Sequence, residues 1–108
     1  MWYILDKDNK PVPATFEEYE KWVRYGIKEN KRIVKQDRFD NDDCLVSTVF
    51  LGLDHGFRSP VPVLWETMIF WTEQPDLNNY QQRYTSHEDA LKGHKEACDL
   101  VKEKLKKA

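Results

Sequence analysis

The sequence predicts an α+β fold: a mostly antiparallel sheet of about four to five strands, with one short N-terminal helix and one long C-terminal helix packed on it. Three observations carry that expectation. Two apolar segments, CLVSTVFLGL at 44–53 and LWETMIFWT at 64–72, alternate with the period of a strand and are separated by a glycine- and proline-containing loop. The C-terminal stretch repeats apolar residues every three or four positions behind a capping serine. A shorter helical pattern near the N-terminus opens on a capping box. Helices at the ends and strands between them fit helices on an antiparallel sheet, not alternating βαβ units.

Taken in order, WYIL at 2–5 reads as a short strand, and DKDNKPVP at 6–13 as a turn punctuated by Asp, Asn and two prolines. Thr15 is placed as an N-cap, with Glu18 completing the box and Glu17 adding favourable charge to the first turn. Phe16, Tyr19, Trp22, Val23 and Ile27 follow at helical spacing as a core-facing stripe, and Gly26 weakens or ends the helix. KENKR at 28–32 is a charged connector, and RIVKQDRF at 32–39 a strand. DNDD at 40–43 reads as a solvated hairpin turn, because it lacks the glycine and terminal glutamate of an EF-hand loop.

Segment 44–53 is the strongest strand. Ser47, Val49, Leu51 and Leu53 point one way and Val46, Thr48 and Phe50 the other. Both faces are largely apolar, so the strand should be covered on both sides, or covered on one and paired at a dimer interface. DHGFRSPVP is a loop. In the second strong strand Trp65, Thr67, Ile69 and Trp71 share a face opposite Glu66, Met68 and Phe70. EQPDLNN is a turn and YQQRYT a short strand or extended arm. Ser86 with Asp89 caps the final helix, Thr85 with Glu88 being the alternative frame. Leu91, His94, Cys98, Val101 and Leu105 then form one apolar stripe, and lysines close the helix where its dipole favours cations.

At 108 residues the chain should be a single globular domain, 1–108. A net charge of −2 argues against general nucleic-acid binding, which needs a basic surface. Cys44 and Cys98 make no CxxC pair and read as inert core thiols of a reduced compartment. The N-terminus lacks the basic and apolar regions of a signal peptide, and no apolar run approaches the roughly 20 residues of a membrane span. A cytoplasmic protein with no membrane partner is the expectation.

The candidate site gathers around LGLDHGF. Gly52 inside a strand pattern marks a bulge or a close backbone approach. With Gly56 it releases Asp54 and His55 at the end of the sheet. His94 is the polar member of an apolar helix stripe, and Gly93 beside it suggests that something packs close to that turn. It is either a core histidine bonded to a backbone carbonyl or part of a pocket. Glu66 on an apolar strand face needs a partner, which Arg83 supplies as an ion pair. Thr48 and Thr67 project toward such a cluster, and Tyr84 and Tyr80 wall it. If these groups converge, His55, His94 and Glu66 could hold a divalent metal, a His–carboxylate pair could act as a general base, or Arg83 could help bind an anion. The sequence contains no HExxH, P-loop, GxGxxG or GxSxG motif, so no cofactor and no specific metal is implied.

VSTVFLGLDHGF, LWETMIF and QRYTSHEDALKGH together resemble a family of small proteins frequent in bacteriophages and prophages, whose members begin much as MWYILD does. The resemblance is weakest over 28–43 and in the form of the GFRSPVPVLWE loop. It implies a phage-borne accessory protein in a bacterial cytoplasm, without a mechanism. It also raises Asp54, His55, Glu66, Thr67, Arg83, Tyr84 and His94 together as a candidate pocket. The leading expectation is a binding protein for a host protein or a small anionic ligand, engaged in counter-defence or regulation. Exposed Trp2, Trp65 or Trp71 would mark its patch, and a tryptophan-rich sheet face would allow a homodimer. A small metal- or His-dependent hydrolase of a nucleotide or phosphoester is the alternative reading. A structural or dimeric module with a buried polar network is another.

Overall fold

The computed structural model describes residues 1–25, 31–56 and 60–107. The expectations for Gly26, Ile27, most of the 28–32 connector and positions 57–59 lie outside the described residues. The chain runs β1 (Trp2–Leu5), β2 (Pro11–Ala14), α1 (Phe16–Tyr25), β3 (Ile33–Phe39), β4 (Cys44–Phe50), β5 (Trp65–Phe70), β6 (Gln81–Tyr84) and α2 (His87–Lys106). The fold is α+β, with two antiparallel sheets: a β1–β2 hairpin and a four-stranded sheet in the order β3-β4-β5-β6. No helix among the described residues is long and apolar enough to cross a membrane.

Within the expected turn, Pro11–Pro13 belong instead to a strand, β2, which runs on to Ala14. Asp6 Oδ1 accepts from the backbone N–H groups of Asp8 and Lys10, and Asn9 takes a left-handed φ of 61°, so the reversal is complete by Lys10. Pro11 and Pro13 are tolerated because a two-stranded hairpin needs their missing N–H groups on its outer edge only. The DNDD turn places Asp40, Asn41 and Asp42 at φ 56°, 53° and 70°, a backbone that short polar side chains accept. It is anchored to the core by Trp71, whose indole N–H donates to Asp40 Oδ2 at 3.0 Å.

Strand alternation sorts the four-stranded sheet. Cys44, Val46, Thr48 and Phe50 share the inner face with Trp65, Thr67 and Ile69. α2 lies across that face, with Ala90, Gly93, His94, Ala97, Cys98 and Val101 buried. The helix caps on Ser86, which accepts from the Asp89 N–H at 3.0 Å, and not in the Thr85 frame. The expected stripe member Leu91 is 42% exposed. One residue of a helix is about 100° of rotation, so Ala90 takes the inward place and its small side chain lets α2 approach.

The capping box on α1 is formed: the Thr15 N–H donates to Glu18 Oε1 at 3.0 Å, and the Glu18 N–H to Thr15 Oγ1 at 3.1 Å. The aromatic stripe faces the β1–β2 hairpin before it reaches the core. Phe16, at 54% exposure, meets Trp2, which meets Tyr19; Trp22 then packs edge-on to Phe50, and Phe50 on Trp65.

Gly52 ties the hairpin unit to the end of β4. Its carbonyl accepts from the Tyr3 N–H at 2.7 Å, and Trp2 bridges to Leu53. Its φ is +78°, and a Cβ there would lie 2.2 Å from Tyr19 Cε2. Gly52→Ala therefore combines left-handed backbone strain with a clash inside the aromatic stack, and urea denaturation should show a loss of about 2–4 kcal/mol. In a Tyr19→Ala background the same substitution should lose only the backbone part; equal losses in both backgrounds would contradict this account.

Candidate functional site

A row of polar groups crosses the buried layer between sheet and helix. β3, β4 and β5 each give it one residue from the inner face. Thr48 pairs directly with Thr67, and Asp37 pairs with Val46, one step diagonally from Thr48. From α2, His94 descends into the row at 1% exposure. Its Nε2 lies 2.7 Å from Asp37 Oδ2 and its Nδ1 2.7 Å from Thr48 Oγ1, while the two threonine hydroxyls are 2.5 Å apart. An ionised carboxylate only accepts, so Nε2 carries a proton. In the neutral ring Nδ1 accepts from Thr48, which in turn accepts from Thr67; in the imidazolium those two bonds reverse. Every member of the row has a partner in either state, so the buried polar groups keep their hydrogen bonds.

The row divides the core. On one side lie Cys44, Val46, Ile69, Trp71, Ala97, Cys98 and Val101, and on the other Phe50, Leu64, Trp65 and Ala90. Its ends differ. The Asp37 side chain is 41% exposed, and its carboxyl is held below the ordinary range, chiefly by the hydrogen bond from His94. The Cys98 thiol lies 3.7 Å from the same carboxylate oxygen, and burial, followed by that carboxylate, pushes the thiol up to about 11. At the opposite end Tyr84 lies against Gly93, where a Cβ would come within 2.0 Å of the phenol oxygen. The close packing expected beside Gly93 is thus the Tyr84 ring. Burial raises the Tyr84 phenol, opposed by the adjacent Thr67 hydroxyl. That contact falls short of hydrogen-bond geometry, so the hydroxyl has no partner among the described residues, nor does the indole N–H of Trp65.

The seven residues singled out from the sequence divide among three places. His94, Thr67 and Tyr84 lie between the sheet and α2. Glu66 and Arg83 pair directly across β5 and β6, on the opposite face, where Glu66 Oε2 accepts from Arg83 Nε at 3.0 Å and from the Gln81 amide. Asp54 closes a loop: its Oδ1 accepts from the N–H groups of Val63 at 2.8 Å and Gly56 at 2.7 Å, which hold its carboxyl below the ordinary range, Val63 foremost. His55 is exposed, and its backbone N–H donates to the Val63 carbonyl. The trio His55, His94 and Glu66 therefore cannot converge on a metal, because alternation along β5 turns Glu66 away from the face that receives His94. His94 is bonded to two side chains, not to a backbone carbonyl. Asp37, which completes the row, was missed from the sequence. Its signal is weak: a carboxylate in phase with Phe39 on the inner face of β3.

Trp65 and Trp71 are at 0% and 1% exposure beneath α2, so they form no surface patch and no tryptophan-rich dimer face. The outer face presents Leu45, Val49, Met68 and Phe70 instead. Trp2 is half-buried and borders a surface groove of about 280 Å³ lined by Phe16, Tyr19, Glu20, Val23 and Arg24. A second cleft, of about 330 Å³, lies where β6 meets α2 and mixes Arg83 and Lys92 with Asp89 and Glu96. No protein-family model, curated protein or solved structure matches the chain.

Thr48→Val keeps the shape of the side chain but leaves His94 Nδ1 without its partner; it should destabilise the fold by about 1–3 kcal/mol, read from the urea midpoint. Asp37 has a folded-state pKa below its unfolded value near 3.9. The stability it adds is therefore present above about pH 4 and disappears as the pH falls through the folded value. Because the side chain is well exposed, solvent screening limits this to about 0.5 kcal/mol. Asp37→Asn should flatten the acid limb of the stability–pH curve below pH 4 by that amount; an unchanged limb would show that the His94 bond does not govern Asp37.

Proposed function

We propose that this chain is a small binding protein, an accessory factor of the phage-borne kind that its sequence resembles, acting in a bacterial cytoplasm by docking a host protein through the groove on α1. The observation that carries the reading is the aromatic chain that runs from the core to the surface and ends on Phe16. Interfaces draw their energy from a few aromatic anchors in apolar recesses. Here the recess is walled by Phe16, Tyr19 and Val23, and a Glu20–Arg24 ion pair stands at its edge. Its occupant is an aromatic or long aliphatic side chain of the partner, whose flanking backbone and polar groups meet that rim.

The β6–α2 cleft supports a small anion less well, because Asp89 and Glu96 offset Arg83 and Lys92. The hydrolase reading also has less support. Thr48, His94 and Asp37 have the chemistry of a nucleophile, a base and an orienting carboxylate, but Thr48 is at 0% exposure in a central strand, beyond the reach of a substrate.

Phe16→Glu combined with Val23→Glu should leave the thermal midpoint within a few degrees and lower capture of specific host proteins from lysate at least tenfold. Capture of the same proteins by the double variant would overturn the reading. So would turnover of a phosphoester that is lost in His94→Asn but unaffected by the groove variant. A concentration-dependent dimer abolished by the groove variant would instead assign the groove to a second copy of the chain.

A further inference from the structure

We propose that Asp37, His94 and Cys98 form a binding site for one zinc ion at the solvent-facing end of the polar row, with the fourth coordination position open to water. The three side chains each offer one ligand atom, and the three atoms lie within 4.8 Å of one another. Zinc takes carboxylate oxygen, imidazole nitrogen and thiolate sulfur at about 2.0–2.3 Å, which sets tetrahedral ligand atoms roughly 3–4 Å apart. Asp37 Oδ2 stands 3.7 Å from Cys98 Sγ, within that range, and 2.7 Å from His94 Nε2, a hydrogen bond that an ion would replace, with the half-exposed Asp37 carboxylate drawing back by about half an ångström. A mixed O, N, S donor set suits a borderline-soft ion and is a poor choice for magnesium or calcium, which take oxygen.

Two further features fit a metal. His94 and Cys98 are four residues apart on one face of α2, and Asp37 faces them from β3, so two rigid elements converge on a single point. In addition, the nitrogen of His94 that would bind the ion is the one whose opposite ring nitrogen is held by Thr48. Metal-binding histidines are oriented in this way, by a hydrogen bond on the other nitrogen. With an ion at Nε2, Nδ1 carries the ring proton and donates to Thr48, whose hydroxyl in turn donates to Thr67. The row already has the partners for that arrangement. Exposure of Asp37 gives the ion a route in and leaves a position for water, while Cys98 and His94 remain buried. The cluster of half-buried Asp40 with exposed Asp43 and Glu73 offers oxygen only and serves as the internal contrast.

The test is a cobalt titration of the chelator-stripped full chain, with zinc as competitor and a native mass spectrum of the protein purified without chelator. The expected result is one Co²⁺ per chain, with the intense visible absorption of a four-coordinate ion and a near-ultraviolet thiolate-to-cobalt band, both removed by one equivalent of Zn²⁺. Cys98→Ser should abolish the thiolate band and Cys44→Ser should leave it unchanged. Asp37→Asn, at a half-exposed position, should keep the fold and weaken binding at least tenfold, which carries the test if Cys98→Ser fails to fold. Thr48→Val should weaken binding about 10–100-fold through the ring orientation. Weak six-coordinate absorption without a thiolate band would assign the cobalt to surface carboxylates and overturn the proposal. A thiolate band that survives in Cys98→Ser, or affinity unchanged in Asp37→Asn, would overturn it as well.

Discussion

The placement of α2 on the sheet depends on one hydrogen-bonded histidine. His94 is fully buried and carries two polar nitrogens, and each would be costly without a partner. Thr48 satisfies one and Asp37 the other. Those two partners belong to neighbouring strands, so the bonds fix both the rotation of α2 about its axis and its position along the strands. Apolar packing by itself is not directional and tolerates sliding. Here a slide of one residue would leave the imidazole unpaired in the core and take from Thr48 its bond to the helix, leaving it Thr67 alone. The hydrophobic clusters on either side contribute most of the burial, and the row decides where they meet.

Close approach makes that row effective. Gly93 and the alanines of α2 bring the helix backbone down to the sheet, and the Tyr84 ring occupies the space that a Cβ at Gly93 would need. Gly52 performs the same service at the other end, where Tyr19 fills the corresponding space. The two glycines therefore fasten two separate aromatic contacts. One joins the last strand to the last helix, and the other joins the N-terminal hairpin and α1 to the end of β4. Through Tyr19, Trp22 and Phe50 the second contact is continuous with the core, so the surface groove at Phe16 rests on a rigid base.

The same layer explains why the chemistry of the chain lies at its margins. The threonines and the histidine are sealed between strand and helix, whereas Asp37 and the α1 groove are open. Reactive potential in the middle of the row serves position. Where the row meets solvent at Asp37, and where the aromatic chain reaches the surface at Phe16, these layers are open to another molecule.

Local features were legible in the sequence because their causes are local. The Thr15–Glu18 box, the Ser86 cap, the DNDD turn and the alternation of β4 and β5 each follow from residues within a few positions of one another. So did the pairing of Glu66 with Arg83, which needs only two adjacent strands, and the need for something to pack beside Gly93. What the sequence could not determine was which polar residues share a space. Glu66 and His94 looked equally suited to one pocket, yet a one-residue phase along β5 puts them on opposite faces. Asp37 drew no notice within the RIVKQDRF strand, yet the β3–β4 register carries it beneath α2. Trp65 and Trp71 could have been surface or core, and the helix covering them settled it. The sequence by itself determined the elements, their caps and turns, and which residues of the two central strands share a face, since these depend on short-range sterics and periodicity; which face α2 covers came only with the tertiary structure. Tertiary structure alone decided the Asp37–His94–Thr48–Thr67 row and the meeting of Cys98 with Asp37, because those contacts join residues 19 to 61 positions apart and exist only once the strand register and the docking of α2 are fixed together.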